Sequence, residues 1–409
     1  MPIRTFVFAL AACGCVSALA VPVWRIPETI YAAPGLECNV YFKNVFESVV
    51  PQNFAFRAES KAGRSELKRW TWTPSGQDAG RRERVIFQAW NDDGLVAAAT
   101  TTVRVAGRPV GAERKITLAL LAASITNSRY QDQLYRDVVA AGYTNYTPVG
   151  TRGNVDTLRK GILVPFDGFG GFTFGTFLTR YKISDEEYAN VQDAAEREQL
   201  KALGAPEKIV MAWQRNLLRS PLVQFRNGKR EVDVQAWLDK INGGKAPDYI
   251  VIELGCNSAF SYVGEIPQVR KWFRKDAIEP AKKLLDTLRE RCPDAVYGFC
   301  DQIVGCSQDG FAANYGAGWN EIQFRKTCAA MNREIKDFVD GLNDPKVRFI
   351  PFCPAIDPEG GYITAEVPVH AQSDVKVVRD ANAVHPSAAG GKQLGDAVAA
   401  WLLNDLGAQ

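Results

Sequence analysis

The sequence predicts an α/β protein: a doubly wound, mainly parallel sheet over residues 107–409, preceded by a small β-sandwich over residues 21–106. Three observations predict it. Ile116–Ala122, Tyr249–Leu254, Ala295–Phe299 and Val347–Phe352 are short apolar runs without alternation, the pattern of strands buried on both faces. Amphipathic stretches separate them, among them Gln131–Ala141, Ile278–Arg291 and Phe324–Leu342, and strand alternating with helix implies a parallel sheet with helices against it. Ahead of residue 107 the pattern changes to short alternating runs punctuated by turn residues, which fits a sandwich of antiparallel strands.

Taken in order, residues 1–20 read as an export signal. Arg4 supplies the positive start, Phe6 to Val16 the apolar core, and Ala18-Leu19-Ala20 a small-x-small cleavage site before Val21. A second reading takes Leu10-Ala11-Ala12-Cys13 as a lipoprotein box, with Cys13 carrying the lipid and the protein anchored there. No later run approaches the ~20 apolar residues of a membrane-spanning helix. Either way the expectation is an exported protein, periplasmic or secreted.

The sandwich strands are expected at Asn39–Phe42, Lys68–Thr73, Arg84–Trp90 and Val96–Val105, the last two joined by a hairpin turn at Asn91-Asp92-Asp93-Gly94. Trp70, Trp72 and Trp90 have two readings, core residues or a sugar-binding face; large aromatics in a small sandwich favour the core. Gly107 to Gly111 reads as a linker. In the α/β region Gly142 and Gly341 fall where helix ends are expected, and a final helix is expected from about Lys392. Ser184 to Gly244 reads as a charged insertion beside the sheet, with helical stretches at Glu186–Leu203 and Val234–Ile241.

Composition narrows the function classes. Hydrophobic residues at 46% and charged residues at 23% are those of a globular protein. A net charge of +3, with basic residues scattered rather than striped, argues against a nucleic-acid partner. Nine cysteines are present, two inside the expected signal; the remaining seven are irregularly spaced, and buried thiols with one or two bridges are expected. With only two histidines and no CxxC pair, no zinc site and no cofactor is expected.

Four separated stretches carry the residue types of ester-cleaving chemistry: Ala122-Ala123-Ser124, Gly170-Gly171, Gly255-Cys256-Asn257-Ser258 and Asn382-Ala383-Val384-His385-Pro386. Such chemistry needs a hydroxyl nucleophile, a base to take its proton, and N–H donors for the oxyanion. Ser124 follows a strand directly; the bland alternative is a helix N-cap, a position serine favours. His385 is the base candidate, with His370 its only rival. Asn257 offers an amide, and Gly171 a backbone N–H that a residue without Cβ can bring close. Both Ser124 and Asn257 lie just past strand ends, where open α/β sheets gather their sites.

In this order the four stretches resemble the blocks of the SGNH (GDSL-type) hydrolases, named for Ser, Gly, Asn and His. Agreement extends between the blocks, through Leu134-Tyr135 on the first helix, Asp248-Tyr249-Ile250-Val251 ahead of the Asn block, and Gly390 after Val384-His385-Pro386. The preceding sandwich resembles an accessory module of some exported bacterial members. The resemblance implies a flavodoxin-like sheet and a serine esterase acting on small acyl esters, such as O-acetyl groups on a glycan. Ser124 would be the nucleophile, His385 the general base and then acid, and the N–H groups of Ser124, Gly171 and Asn257 the oxyanion hole.

Three family acids are absent. Gly-Asp-Ser is Ala122-Ala123-Ser124 here, Ser258 replaces the Asp after the block-three Asn, and Asn382 replaces the triad Asp three residues before His385. An amide can orient the imidazole through its carbonyl oxygen but supplies no charge. Asp380, two residues before Asn382, has two readings: in an extended loop it would face the same way and could compensate by reaching His385, or it is a solvated loop aspartate, which is the commoner case. The rival reading is a catalytically impaired relative that binds a carbohydrate or ester. A phosphoryl or sulfuryl hydrolase lacks a metal-ligand cluster in the sequence.

Overall fold

The computed structural model describes residues 23–48, 50–152, 164–179, 220–226, 229–260, 262, 264–316 and 318–407. The expected signal, with Cys13, and the helical stretch Glu186–Leu203 lie outside the described residues.

The sheet of the α/β region is parallel throughout its named pairings. Across it run Tyr146–Val149, Ile116–Ala122, Tyr249–Glu253, Val296–Cys300 and Val347–Ile350, and the short segment Asp167–Gly168 pairs with the end of Ile116–Ala122. Numbered along the chain without that short segment, the five long strands stand in the order 2-1-3-4-5, the flavodoxin-like arrangement. The order reverses beside Ile116–Ala122, so the switch point falls where this strand and Tyr249–Glu253 both end.

Period-two alternation sends the strands' side chains into two cores. Ala119, Leu121, Ile250, Ile252, Tyr297 and Phe299 point one way, against helices Val234–Asn242, Glu279–Arg289 and Glu321–Leu342. Leu118, Leu120, Ala122, Tyr249 and Val251 point the other way, against helices Tyr130–Ala140 and Ala388–Leu406. Both faces are covered, which explains why these strands read as unbroken apolar runs. Trp237 and Leu238 belong to the first core, so this end of the expected insertion is packed against the sheet.

Element ends differ from expectation for identifiable reasons. Ser387 caps the last helix by accepting from Gly390 N–H, so the helix starts at Ala388 rather than Lys392. Gly341 lies inside its helix; Asn343, at φ 47°, takes the left-handed cap instead, a conformation Asn tolerates. Strand Val347–Ile350 stops at Pro351, which has no N–H to pair.

Residues 23–105 form two small sheets and a two-stranded pair, Val23–Trp24 with Phe46–Glu47, around one core. Thr29–Ala32, Gly94–Val105, Arg82–Asn91 and Ala55–Glu59 make one sheet; Cys38–Tyr41, Arg69–Trp72 and Arg64–Ser65 make the other. Ile30, Val40, Phe42, Trp70, Val85, Phe87 and Val103 fill the space between them. Trp70 and Trp72 belong to this core, whereas Trp90 is exposed. The hairpin turn closes at Asn91 and Gly94, with Gly94 at φ 119°. Strands Thr29–Ala32 and Ala55–Glu59 escaped the sequence reading; each is short.

This region is docked tightly on the α/β part. Asn44 Nδ2 donates to the carbonyls of Cys353 (2.9 Å) and Ile356 (2.7 Å), and Asn404 Nδ2 donates to Ala32 O (2.8 Å). Ala33 and Ala106 are part of the core beneath the last helix. The expected linker is packed as well: a Cβ on Gly107 would meet Gly407 O at 3.0 Å. All seven cysteines from Cys38 to Cys353 are buried free thiols, so the one or two bridges expected from the sequence do not form.

Candidate active site

The serine, glycine and asparagine blocks meet at the switch point because their strands are neighbours. Ala122 pairs with Gly168 on one side and Glu253 on the other. Ala122 O then accepts from Phe169 N (3.0 Å), and Ala123 N donates to Glu253 O (3.1 Å). These bonds fix the chain on both sides of Ser124.

Ser124 opens a single 3-10 turn, Ser124–Ser128, and does not act as an N-cap. Ala123 holds that position without a side-chain bond, and the α-helix starts only at Tyr130. The Ser124 hydroxyl lies 2.9 Å from His385 Nε2, across a separation of 261 residues. His385 Nδ1 lies 2.9 Å from Asn382 Oδ1.

The tautomer follows from the backbone. Asn382 Oδ1 also accepts from His385 N (3.0 Å) and Val384 N (3.2 Å), so the atom facing Nδ1 is the amide's oxygen. Nδ1 therefore carries the proton and donates it, leaving the Nε2 lone pair toward the serine hydroxyl. Burial pushes the His385 pKa below its ordinary 6.5, which keeps the ring a neutral base.

Asp380 is directed elsewhere. Its Oδ2 accepts from Ser307 N (3.1 Å) and from the Ser307 hydroxyl, while Asn382 occupies Nδ1 of His385. The same-face argument fails because strand Lys376–Asp380 ends there and the chain turns back on Asn382 Oδ1. His370 is exposed in a turn, where Nδ1 accepts from Gln372 N.

The loop bearing His385 is fixed on both flanks. Cys306 N donates to Ala383 O (2.9 Å) and Ala383 N to Asn314 Oδ1 (2.6 Å). Ser387 N donates to Gly361 O (2.9 Å), and Tyr362 bridges Pro386. Gly391 lets the last helix approach the serine turn, since a Cβ there would sit 2.4 Å from Ser128 O.

Gly171 takes φ 77° in an exposed turn closed by Phe172 N donating to Phe169 O (3.2 Å). The stacked rings of Phe169 and Phe172 anchor that turn. Asn257 Nδ2 donates to Phe172 O (2.9 Å), tying the asparagine block to the glycine turn. An Asn amide has two N–H donors, so one bond to Phe172 leaves the second for an oxyanion. Gly255, at φ 137°, aims this block, and Cys256 N donates to Gln302 Oε1 (2.8 Å).

Two residues near the site went unremarked in the sequence. Gln302 orders the asparagine block, and Glu253 is fully buried at the end of its strand, where burial pushes its pKa up to about 8. A lone acid inside an apolar run was the available signal. Among the described residues no group of three or more His, Cys, Asp or Glu is placed to hold a metal.

Four blocks thus stand together at the carboxyl edge of a flavodoxin-like sheet. The chain resembles the SGNH hydrolases. No family model and no curated protein matches it. Similar solved structures include the Clostridium thermocellum family 3 carbohydrate esterase, 15% identical, covering 72% of this chain and 98% of that one at a TM-score of 0.37. A GDSL-like lipase from Parabacteroides merdae is 14% identical, covering 72% and 97% at 0.32. The extracellular lipase of Streptomyces rimosus is 12% identical, covering 68% and 94% at 0.32. No helix among the described residues is long and apolar enough to cross a membrane.

Proposed function

We propose that this protein is an exported serine esterase that hydrolyses small acyl esters, with O-acetyl groups on a glycan as the first substrate class to test. One observation carries the reading: Ser124 Oγ lies 2.9 Å from His385 Nε2, while the other ring nitrogen is bound to Asn382 Oδ1. That is the arrangement in which a hydroxyl gives its proton to imidazole as it attacks.

In this mechanism Ser124 Oγ bonds to the ester carbonyl carbon and His385 Nε2 takes the hydroxyl proton. The carbonyl electrons move onto oxygen, which receives N–H donors from Ser124, Gly171 and Asn257. Collapse breaks the bond to the alcohol, and the His385 imidazolium protonates the departing oxygen. Water, deprotonated by His385, then cleaves the acyl-enzyme to release the carboxylic acid and restore Ser124.

A fluorophosphonate probe and a short-chain aryl ester test the reading together. Labelling and turnover should be present in the native chain and absent in Ser124→Ala. Turnover undiminished in Ser124→Ala refutes the mechanism. Neither labelling nor turnover, with retained binding of an acetylated glycan, favours the impaired binding protein instead.

A further inference from the structure

The acid closest to the nucleophile along the hydrogen-bond ladder is Glu253, and the mechanism above gives it no task. It ends strand Tyr249–Glu253 directly opposite Ala122, two residues before Ser124. Ala123 N donates to the Glu253 backbone carbonyl at 3.1 Å, and side-chain Oε2 lies 3.4 Å from the same nitrogen. The residue is 1% exposed.

Among the described residues, the titratable groups acting with it are themselves acids. Tyr130 faces it from the following helix, Cys300 from the adjacent strand, and Cys256 from the asparagine block. Asp301 lies next beyond Cys300 and is held by the N–H groups of Phe352 and Cys353. Among the described residues, no cation stands with the groups that act on Glu253. A carboxylate in this setting would be desolvated and unpaired, which is costly, so the neutral acid is favoured through neutral pH.

We propose that Glu253 is a positioning residue for Ser124 and works as an uncharged acid. The inference rests on the esterase reading and deepens it. Attack by Ser124 places negative charge on the substrate oxygen, and a carboxylate beneath the serine turn would oppose that charge. A carboxylate would also draw Ala123 N–H from the strand carbonyl toward Oε2, tilting the peptide that precedes Ser124. The neutral acid does neither. Proton loss from Glu253, expected at about pH 8, should therefore switch the nucleophile down.

The test uses the full chain, its Glu253→Gln variant, which keeps a neutral side chain of the same shape, and Glu253→Leu. Infrared difference spectra of wild type against Glu253→Gln should show a protonated carboxyl group at neutral pH. Fluorophosphonate labelling of the wild type should fall on the alkaline side of about pH 8. Glu253→Gln should lose that fall while staying within about fivefold at neutral pH, and Glu253→Leu, equally uncharged, should lose the fall too, with cooperative melting kept. Labelled wild type without the carboxyl band, or an identical alkaline fall in Glu253→Gln, overturns this assignment and leaves the esterase reading standing. A carboxyl band in a wild type that no probe labels overturns both.

Discussion

Asn382→Asp is the substitution whose effect can be worked most fully from the structure. Asn382 Oδ1 accepts three N–H groups: His385 Nδ1 at 2.9 Å, His385 N at 3.0 Å and Val384 N at 3.2 Å. A carboxylate oxygen accepts the same three, so the loop is kept and only charge is added. In serine-protease triads the amide lowers kcat by about 10⁴, chiefly because it imposes the wrong tautomer. Here the two backbone donors hold the carbonyl oxygen toward the ring, so the tautomer is already right. What remains is the difference between a neutral and a charge-assisted hydrogen bond to the imidazolium, about 1–1.5 kcal/mol. That corresponds to roughly tenfold in rate. It should fall mainly on kcat, because the imidazolium exists only as reaction proceeds. Initial rates on a short-chain aryl ester across a substrate series measure it. An Asn382→Asp chain that melts like the wild type but gains less than about twofold refutes the electrostatic argument; a gain of several hundredfold or more would show the native tautomer to be wrong.

Three further outcomes are expected. The acid limb of kcat/KM should lie below pH 6.5, because burial lowers the His385 pKa, and Asn382→Asp should move that limb upward by favouring the imidazolium; a limb above 6.5 in the wild type contradicts the burial argument. The same shift should make stability decline as pH falls below 6.5, since the unfolded chain then binds the proton more readily, and a urea titration across pH reads this. Asp380→Ala should change kcat by less than about threefold while lowering the melting temperature, because Asp380 bonds Ser307 rather than His385; a loss near 10² in kcat would restore it as the compensating acid.

The parts of this fold legible in the sequence are those where one local signal decides. Ile116–Ala122 and Tyr249–Glu253 are buried on both faces, so their apolar runs announce central parallel strands. The meeting of Ser124 and His385 was legible only through the order of four blocks, since nothing local links residues that far apart. Residue-by-residue rules fail where the chain turns. Extended-chain periodicity would put Asp380 and Asn382 on one face, and the turn onto Asn382 Oδ1 interrupts it. Gly341 was read as a helix end by residue type, although Asn343 can adopt the same left-handed geometry one residue past the helix. Docking of residues 23–105 depends on Asn44 and Asn404 finding distant carbonyls, and spacing carries no trace of that.

The absence of three family acids leaves a site of unusual electrostatic simplicity. Ala123 contributes only its N–H, spent on the carbonyl of Glu253; buried Ser258 carries no charge; Asn382 offers a carbonyl oxygen. In the proposed reaction the group that takes and gives the proton against the nucleophile is then His385, while Glu253 stays uncharged at neutral pH. During attack an imidazolium and an oxyanion form together, and the imidazolium has no carboxylate behind it. In the proposed reaction the transition state would draw its stabilisation from N–H donors at the oxyanion end, and that end has its own bracing. Gly171 is held by the Phe169–Phe172 turn, Asn257 by Phe172 O, and the block before it by Gln302. Such a site should depend more steeply on Asn257 than on Asn382. Asn257→Ala should cost about 10²–10³ in kcat, the range for losing one oxyanion donor, whereas of the three bonds that Asn382 Oδ1 accepts only the one from His385 Nδ1 touches the ring, a neutral hydrogen bond worth about 1 kcal/mol, so Asn382→Ala should cost less. Equal losses in the two variants, measured on the same aryl ester, would show that the base end carries more of the barrier than its missing charge allows.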